Sequence, residues 1–479
     1  MDNVKGILST PRFRISLLFV TWVALLTVFV DAAAASNGMT LSKEPRDALA
    51  IPQWLYLATG SAAIGGSALL ASFVTDRLFI QSLHRWSRPL FSVDDHRQLI
   101  AWIGRSLGVT ALVLAIYLGY TGPQLPTASF TILVTFVIAR AGLPMIAYLA
   151  VNVWPIVNPW RAISSLLPSG FRDYPLSWQR WPAVVGLLLL VWVELVFPVS
   201  TVPAVLATAI LCYSIPTLIG AILFGHETWF ANGDPLSVLF RLFGAVAPVQ
   251  YDNGALSVQL PGSDLTDPAV VTDTSDVAFI IALIWELTYS GFITTTTGAA
   301  AIESLVALSL ISGVSTKIIA VTVYMTLFIS GYVAFFGAYW YASKFSRRSA
   351  ETYITSRTIA LRFAPPLLAI AAGYHLAHYA GLFVSLSPAL GMVLSSPLSP
   401  PANPMVLSLP SWFDASSIVF VLVGHLLAIW TAHVMAYDLF PSRITAVRSQ
   451  YPFIVVMIGY TVISLWILSV PGATPPYLS

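Results

Sequence analysis

Gly373-Tyr374-His375-Leu376-Ala377-His378-Tyr379 belongs to one apolar run, and Gly424-His425 and Thr431-Ala432-His433 belong to the next. Four of the chain's seven histidines therefore fall in two adjacent segments that otherwise suit lipid. An ionisable side chain at membrane depth is costly, so it faces a bundle interior and marks a functional site by default. The surrounding composition agrees with that depth. Of 479 residues, 57% are hydrophobic and only 9% charged, against about 25% charged in soluble domains. Apolar runs of about 20 residues, the length an α-helix needs to cross a bilayer, recur along the chain. A formal net charge of +2 without a basic tract gives no reason to expect a nucleic-acid partner. Cys212 is the one cysteine, which excludes a disulfide framework and a cysteine-based metal site.

The runs predict an all-α polytopic membrane bundle of eleven spans, at 15–30, 51–75, 99–120, 129–153, 181–198, 201–224, 277–292, 316–343, 358–386, 415–440 and 451–470. The first follows Lys5, Arg12 and Arg14 and ends in Ala32-Ala33-Ala34-Ala35-Ser36. That is also the layout of a cleaved signal peptide, which would leave ten spans. Loops rich in Lys and Arg stay in the cytoplasm. With the N-terminus inside and the C-terminus outside, the basic loops 76–98, 155–180, 344–357 and 441–450 all fall inside. The chain then divides into spans one to six (1–224), a cytoplasmic segment (225–276), and spans seven to eleven with the histidine pair of helices (277–479).

Two of the inner loops share a pattern. Asn158-Pro159 and Asp234-Pro235 each open a short apolar helix carrying an Arg, because Asn or Asp at the N-cap followed by Pro is a strong helix start. Both helices are expected to lie along the inner membrane surface. Val249 to Leu260 alternates around Asp252-Asn253-Gly254 and reads as a β-hairpin. Asp264, Asp267, Asp273 and Asp276 follow with no basic partner in view, and without calcium-loop spacing they read as a solvated loop.

His375 and His378 are three apart and share a helix face. Counted inward from the outer ends of their spans, His375, His378 and His425 all lie about 12–17 Å deep, near the bilayer middle. If the two spans pack as neighbours, three imidazoles can converge, enough for zinc, copper or iron, or for a haem held between facing helices. Pro365-Pro366 is expected to kink the first of these spans. His433 lies deeper, towards Asp438 and the His226-Glu227 pair. With Glu194 and Glu286 these groups form a candidate proton or ion pathway, and Arg140 is expected to pair with one of the two glutamates. The plainer alternative is that the histidines bond across helices and only hold them together. His226-Glu227 opens like a zinc-protease helix, but Phe230 stands where the second histidine belongs.

Gly225-His226-Glu227-Thr228-Trp229, Gly233-Asp234-Pro235 and Phe240-Arg241 carry a resemblance. Mainly over 225–248, with Ile51 to Arg77 and the His-bearing spans in addition, the chain resembles a family of prokaryotic multi-pass membrane proteins that carries the label fenitrothion hydrolase. The resemblance implies a multi-pass protein of a prokaryotic plasma membrane, and the label implies organophosphate hydrolysis, normally metal-dependent. No catalytic residue here follows from it. Three functions therefore stand open. One is a transporter moving protons, a metal ion or a small solute through the His/Glu groups. The others are a metal- or haem-dependent membrane enzyme, and a scaffold within a complex of other membrane subunits. In each the lipid bilayer is the solvent.

Overall fold

The computed structural model describes residues 53–92, 96–252, 254–309, 314–410 and 412–478; the apolar run at 15–30 lies outside them. Its helices are α1 (Gln53–Phe73), α2 (Arg77–His84), α3 (Arg97–Thr121), α4 (Phe130–Leu149), α5 (Pro159–Ser164), α6 (Trp181–Val196), α7 (Pro203–Phe224) and α8 (His226–Asn232). They continue with α9 (Pro235–Gly244), α10 (Thr274–Ile293), α11 (Thr296–Leu308), α12 (Thr316–Ser349), α13 (Ser356–Phe363), α14 (Pro366–Ser395), α15 (Trp412–Leu439) and α16 (Arg443–Ser469). Among the described residues eight helical stretches are long and apolar enough to cross a membrane. A ninth arises if α1 and α2, bent by 118° at residues 74–76, count as one broken span. The run at 181–198 forms only the 16-residue α6.

Helix α10 is the axis of the bundle. It is apolar nearly all round and buried along almost its whole length, as expected of a helix enclosed on every side. Helix α14 is almost as enclosed and crosses α15 at Gly373 and Gly424. A Cβ on Gly373 would stand 2.6 Å from the Phe420 carbonyl oxygen, and one on Gly424 2.6 Å from that of Ala369. Only glycine permits backbones to meet this closely. Pro365 and Pro366 interrupt the helix between α13 and α14, yet the two still continue as one apolar stretch, Ser356–Ser395.

Loops that are distant in sequence meet at one end of the bundle. Strand β1 (Ser87–Ser92) pairs antiparallel with β3 (Ala255–Gln259), which pairs in turn with β2 (Val249–Asp252), in the order β1-β3-β2. The expected hairpin is therefore two strands of a three-stranded sheet. Its third strand comes from the basic loop after α2. At this same end the Arg77 guanidinium donates to the Phe440 and Pro441 carbonyls, and Arg161 pairs with Glu227. At the opposite end Thr295 bridges Gly472, and Tyr324 donates to the Pro476 carbonyl.

Two expectations are corrected. At Asp273 and Asp276 the acidic stretch is not a solvated loop without a basic partner, whereas Asp267 is exposed as expected. Arg180 lies 3.2 Å from Asp273 and 2.7 Å from Asp276, and Arg241 lies 2.8 Å from the fully buried Asp276. Asp273 caps α10 by accepting from the Ser275 and Asp276 amides. The short helices α5 and α9 start as expected, with Asn158 and Asp234 accepting from the Arg161 and Ser237 amides. They do not lie on the surface, however. Val238, Phe240, Leu242 and Phe243 are buried, and Phe240 stacks on Trp154 at 4.5 Å.

Candidate functional site

Three helices bring Arg140 (α4), Glu194 (α6) and Glu286 (α10) together. Glu286 is twelve residues into α10, about 18 Å along it. Arg140 Nη2 donates to Glu286, and Arg140 Nε lies 3.3 Å from Glu194 Oε2, an ion contact rather than an aligned hydrogen bond. The side chains of Arg140, Glu194 and Glu286 are 20%, 16% and 4% exposed. The sequence anticipated one glutamate for this arginine; the fold supplies both.

Helix α14 grips Arg140 from two sides. The segment Leu133–Gly142 of α4 is wound as a π-helix, a widening that concentrates at functional sites. Pro144 follows Arg140 by four residues, so the amide that would close an α-helical bond to the Arg140 carbonyl does not exist. His375 Nε2 takes up that carbonyl at 3.0 Å and must donate to it. Its Nδ1 lies 3.1 Å from the Tyr148 hydroxyl, which donates to it when the ring is neutral. One turn on, the Tyr379 ring lies under the Arg140 guanidinium, 5.0 Å from centroid to Cζ. The backbone and the charge of Arg140 are thus both set from α14.

The histidines do not converge. His375 faces α4, with both ring nitrogens engaged. His378 lies against the Tyr374 and Tyr379 rings on the side of Gly291 in α10. His425 donates from Nδ1 to the Val421 carbonyl of its own helix at 2.8 Å. Among the described residues no three His, Cys, Asp or Glu side chains gather as metal ligands. The expected centre at His375, His378 and His425 is therefore not assembled: His375 and His425 are held by different carbonyls, and His378 packs against two tyrosine rings.

The remaining pathway candidates also separate. His433 bonds to the end of α1 and to Gln450 of α16. Asp438 accepts from Gln81 at 3.4 Å at the rim of a polar cavity of about 540 Å³. His226, half-buried, and Glu227, exposed, lie 3.7 Å apart, and the hydrogen bond from Arg161 holds the Glu227 carboxyl below its ordinary value. Of the proposed relay, Glu194 and Glu286 share one centre; His433, Asp438, His226 and Glu227 belong to the end where the loops meet. Sequence reasoning missed Tyr148, Tyr379 and the π-helix. The one available signal was Pro144 placed four residues after an arginine.

These features define a helical bundle, with helices fit to cross a membrane, that encloses a charged centre of one arginine and two glutamates. Comparison with protein-family models, curated proteins and solved structures finds no match to the chain.

Proposed function

We propose that the chain is a multi-pass membrane transporter in which Arg140, Glu194 and Glu286 carry a proton in step with an ion or small solute. The observation that carries this reading is the charge count. One guanidinium faces two carboxylates in a low-dielectric interior, where an unbalanced charge is expensive. A single proton balances the group, so loading and unloading one proton toggles it between two charge states. Tyr379, buried and with its hydroxyl unpartnered among the described residues, adds a group able to receive or pass that proton. The π-helical turn carrying Arg140 and the break between α13 and α14 are irregularities of the kind that line transport pathways.

The Lys and Arg distribution supports N-inside, C-outside. So does the meeting of loops 76–98, 155–180, 225–276 and 441–450 at one end. Maleimide labelling of a cysteine introduced at the fully exposed Tyr353, with Cys212 removed, tests this orientation. It should be reached from the cytoplasmic side only.

The central test is proton flux in proteoliposomes under an imposed potential. Glu286→Gln and Glu194→Gln should abolish a flux that the unaltered protein supports. Full flux in both variants would overturn the proposal.

A further inference from the structure

The polar cavity of about 540 Å³, at the end where the loops meet, carries charges of both signs on its wall. Ligand cavities run from about 300 to 1,000 Å³, so this one has room for a small solute. Four segments far apart in sequence build it: the end of α2, the turn that follows β3, the last turn of α13 and the far part of α15. His84 closes one corner. Its Nε2 lies 3.0 Å from both the Ser263 carbonyl and the Thr266 hydroxyl, and Ser263 Oγ donates to the His84 carbonyl. Helix α2 and the 263–266 turn therefore form one continuous wall.

Arg362 lines this cavity half-buried and, among the described residues, makes no side-chain hydrogen bond or ion pair. The other half-buried arginines are all engaged. Arg140, Arg161, Arg180 and Arg241 bond to carboxylates, and Arg77 bonds to two carbonyls. A guanidinium partly withdrawn from water loses hydration that a partner ordinarily replaces, and for Arg362 the fold supplies none. Carboxylates line the same space and are answered by neutral donors. Asp438 accepts from Gln81 at 3.4 Å, Asp267 from the Ala269 amide at 2.9 Å, and Asp264 from Gln259 at 2.7 Å. The elements that carry these charges are anchored by their own apolar residues, Ile359 and Phe363 in α13, Leu265 in the turn and Val434 in α15. Arg362 and the aspartates are thus held at separate points of one wall.

We propose that this cavity binds a small amino-acid-like zwitterion, with its carboxylate on Arg362 and its ammonium among Asp264, Asp267 and Asp438. A guanidinium presents a planar fork that matches a carboxylate. An ammonium has three hydrogens to donate and accepts none, which suits several carboxylate oxygens. A simple anion meets repulsion from the aspartates, and a simple cation leaves Arg362 unanswered. Arg362 also stands three residues before Pro365, at the joint between α13 and α14, and α14 is the helix that grips Arg140. The inference names the solute class that the transport reading leaves open, and it rests on that reading only for what the binding is for.

Equilibrium dialysis of the full chain in detergent tests it, with radiolabelled glycine, 4-aminobutyrate and 6-aminohexanoate, whose charges stand progressively further apart. At least one should bind, and butyrate and butylamine should compete at least about tenfold more weakly. Arg362→Gln should weaken binding about tenfold or more, the weight of one charged hydrogen bond, and Arg362→Lys should recover part of the loss. Asp438→Asn, at an exposed position where the fold is not at stake, should weaken binding as well. Thermal unfolding in the same detergent separates a lost contact from a lost fold. Binding of none of the three zwitterions, equal competition by the singly charged compounds, or full affinity in Arg362→Gln or Asp438→Asn would each overturn the proposal. Proton flux without zwitterion binding would leave the transport reading standing and this inference refuted; binding without flux would do the reverse.

Discussion

Removing charge from the central group should have effects that depend sharply on which member is changed. In Arg140→Gln two carboxylates, 16% and 4% exposed, face each other with no cation. At the 3.3 Å separation of Arg140 and Glu194 the attraction lost is about 5 kcal/mol at an effective dielectric of about 20. Breaking a buried pair by removing one partner costs about 3–5 kcal/mol net. In Glu286→Gln the amide oxygen still accepts from Arg140, and Arg140 with Glu194 remains a neutral pair. The loss is then a charged hydrogen bond exchanged for a neutral one, about 1 kcal/mol. Equilibrium unfolding in mixed micelles by detergent titration reads both values on one scale. Arg140→Gln should be several-fold the more destabilising, while flux is lost in both variants. Equal losses of stability, or a larger loss in Glu286→Gln, would show that the second carboxylate is needed to hold the helices together. The charge-excess argument for a proton site would then fail.

Three further outcomes follow from the same structure. Gly424→Ala places a Cβ 2.6 Å from the Ala369 carbonyl oxygen, so α14 and α15 must separate, at about 1–3 kcal/mol by the same unfolding assay. Gly391→Ala, with open space around it, serves as the control and should be neutral or slightly stabilising. Burial lowers the pKa of His84, so its fastening of the 263–266 turn is fully present above the ordinary histidine value of about 6.5 and weakens as pH falls towards the folded-state value. Limited proteolysis of that turn should accelerate on acidification in the unaltered chain, and His84→Gln should remove the pH dependence. Zinc, copper and iron content by elemental analysis should be the same in the purified protein and in a His375→Ala/His378→Ala/His425→Ala variant. A stoichiometric metal lost in that variant would restore the histidine centre.

What the sequence could reveal followed the range of its physical signals. Apolar length is local, and nine of the ten expected spans within the described residues have a long helix or helical stretch where the run stands; at 181–198 it is only 16 residues long. Helix starts are local as well, and Asn158-Pro159 and Asp234-Pro235 cap their helices as those residue types dictate. Partnerships are not local. Strand β1 was hidden because Arg88 and Pro89 make 87–92 read as a basic loop. Proline lacks the ladder donor, so it is tolerated on an edge strand, and β1 is the edge, with its register shifting just past Pro89.

His375, His378 and His425 were grouped because they share a depth, but depth says nothing of azimuth. His375 turns to α4 because Pro144 leaves the Arg140 carbonyl without its helical donor, and that vacancy lies more than two hundred residues away in sequence. The same reasoning separates the two kinds of ionisable group in this bundle. His375 and His433 each donate to a main-chain carbonyl of another segment, which is helix-fastening chemistry, and His425 donates within its own helix. Arg140, Glu194 and Glu286 bond chiefly to one another and leave a charge unbalanced. Arg140 with one carboxylate is already a neutral pair, so the second carboxylate beside it is what makes this centre, rather than the more conspicuous histidines, the place to look for activity.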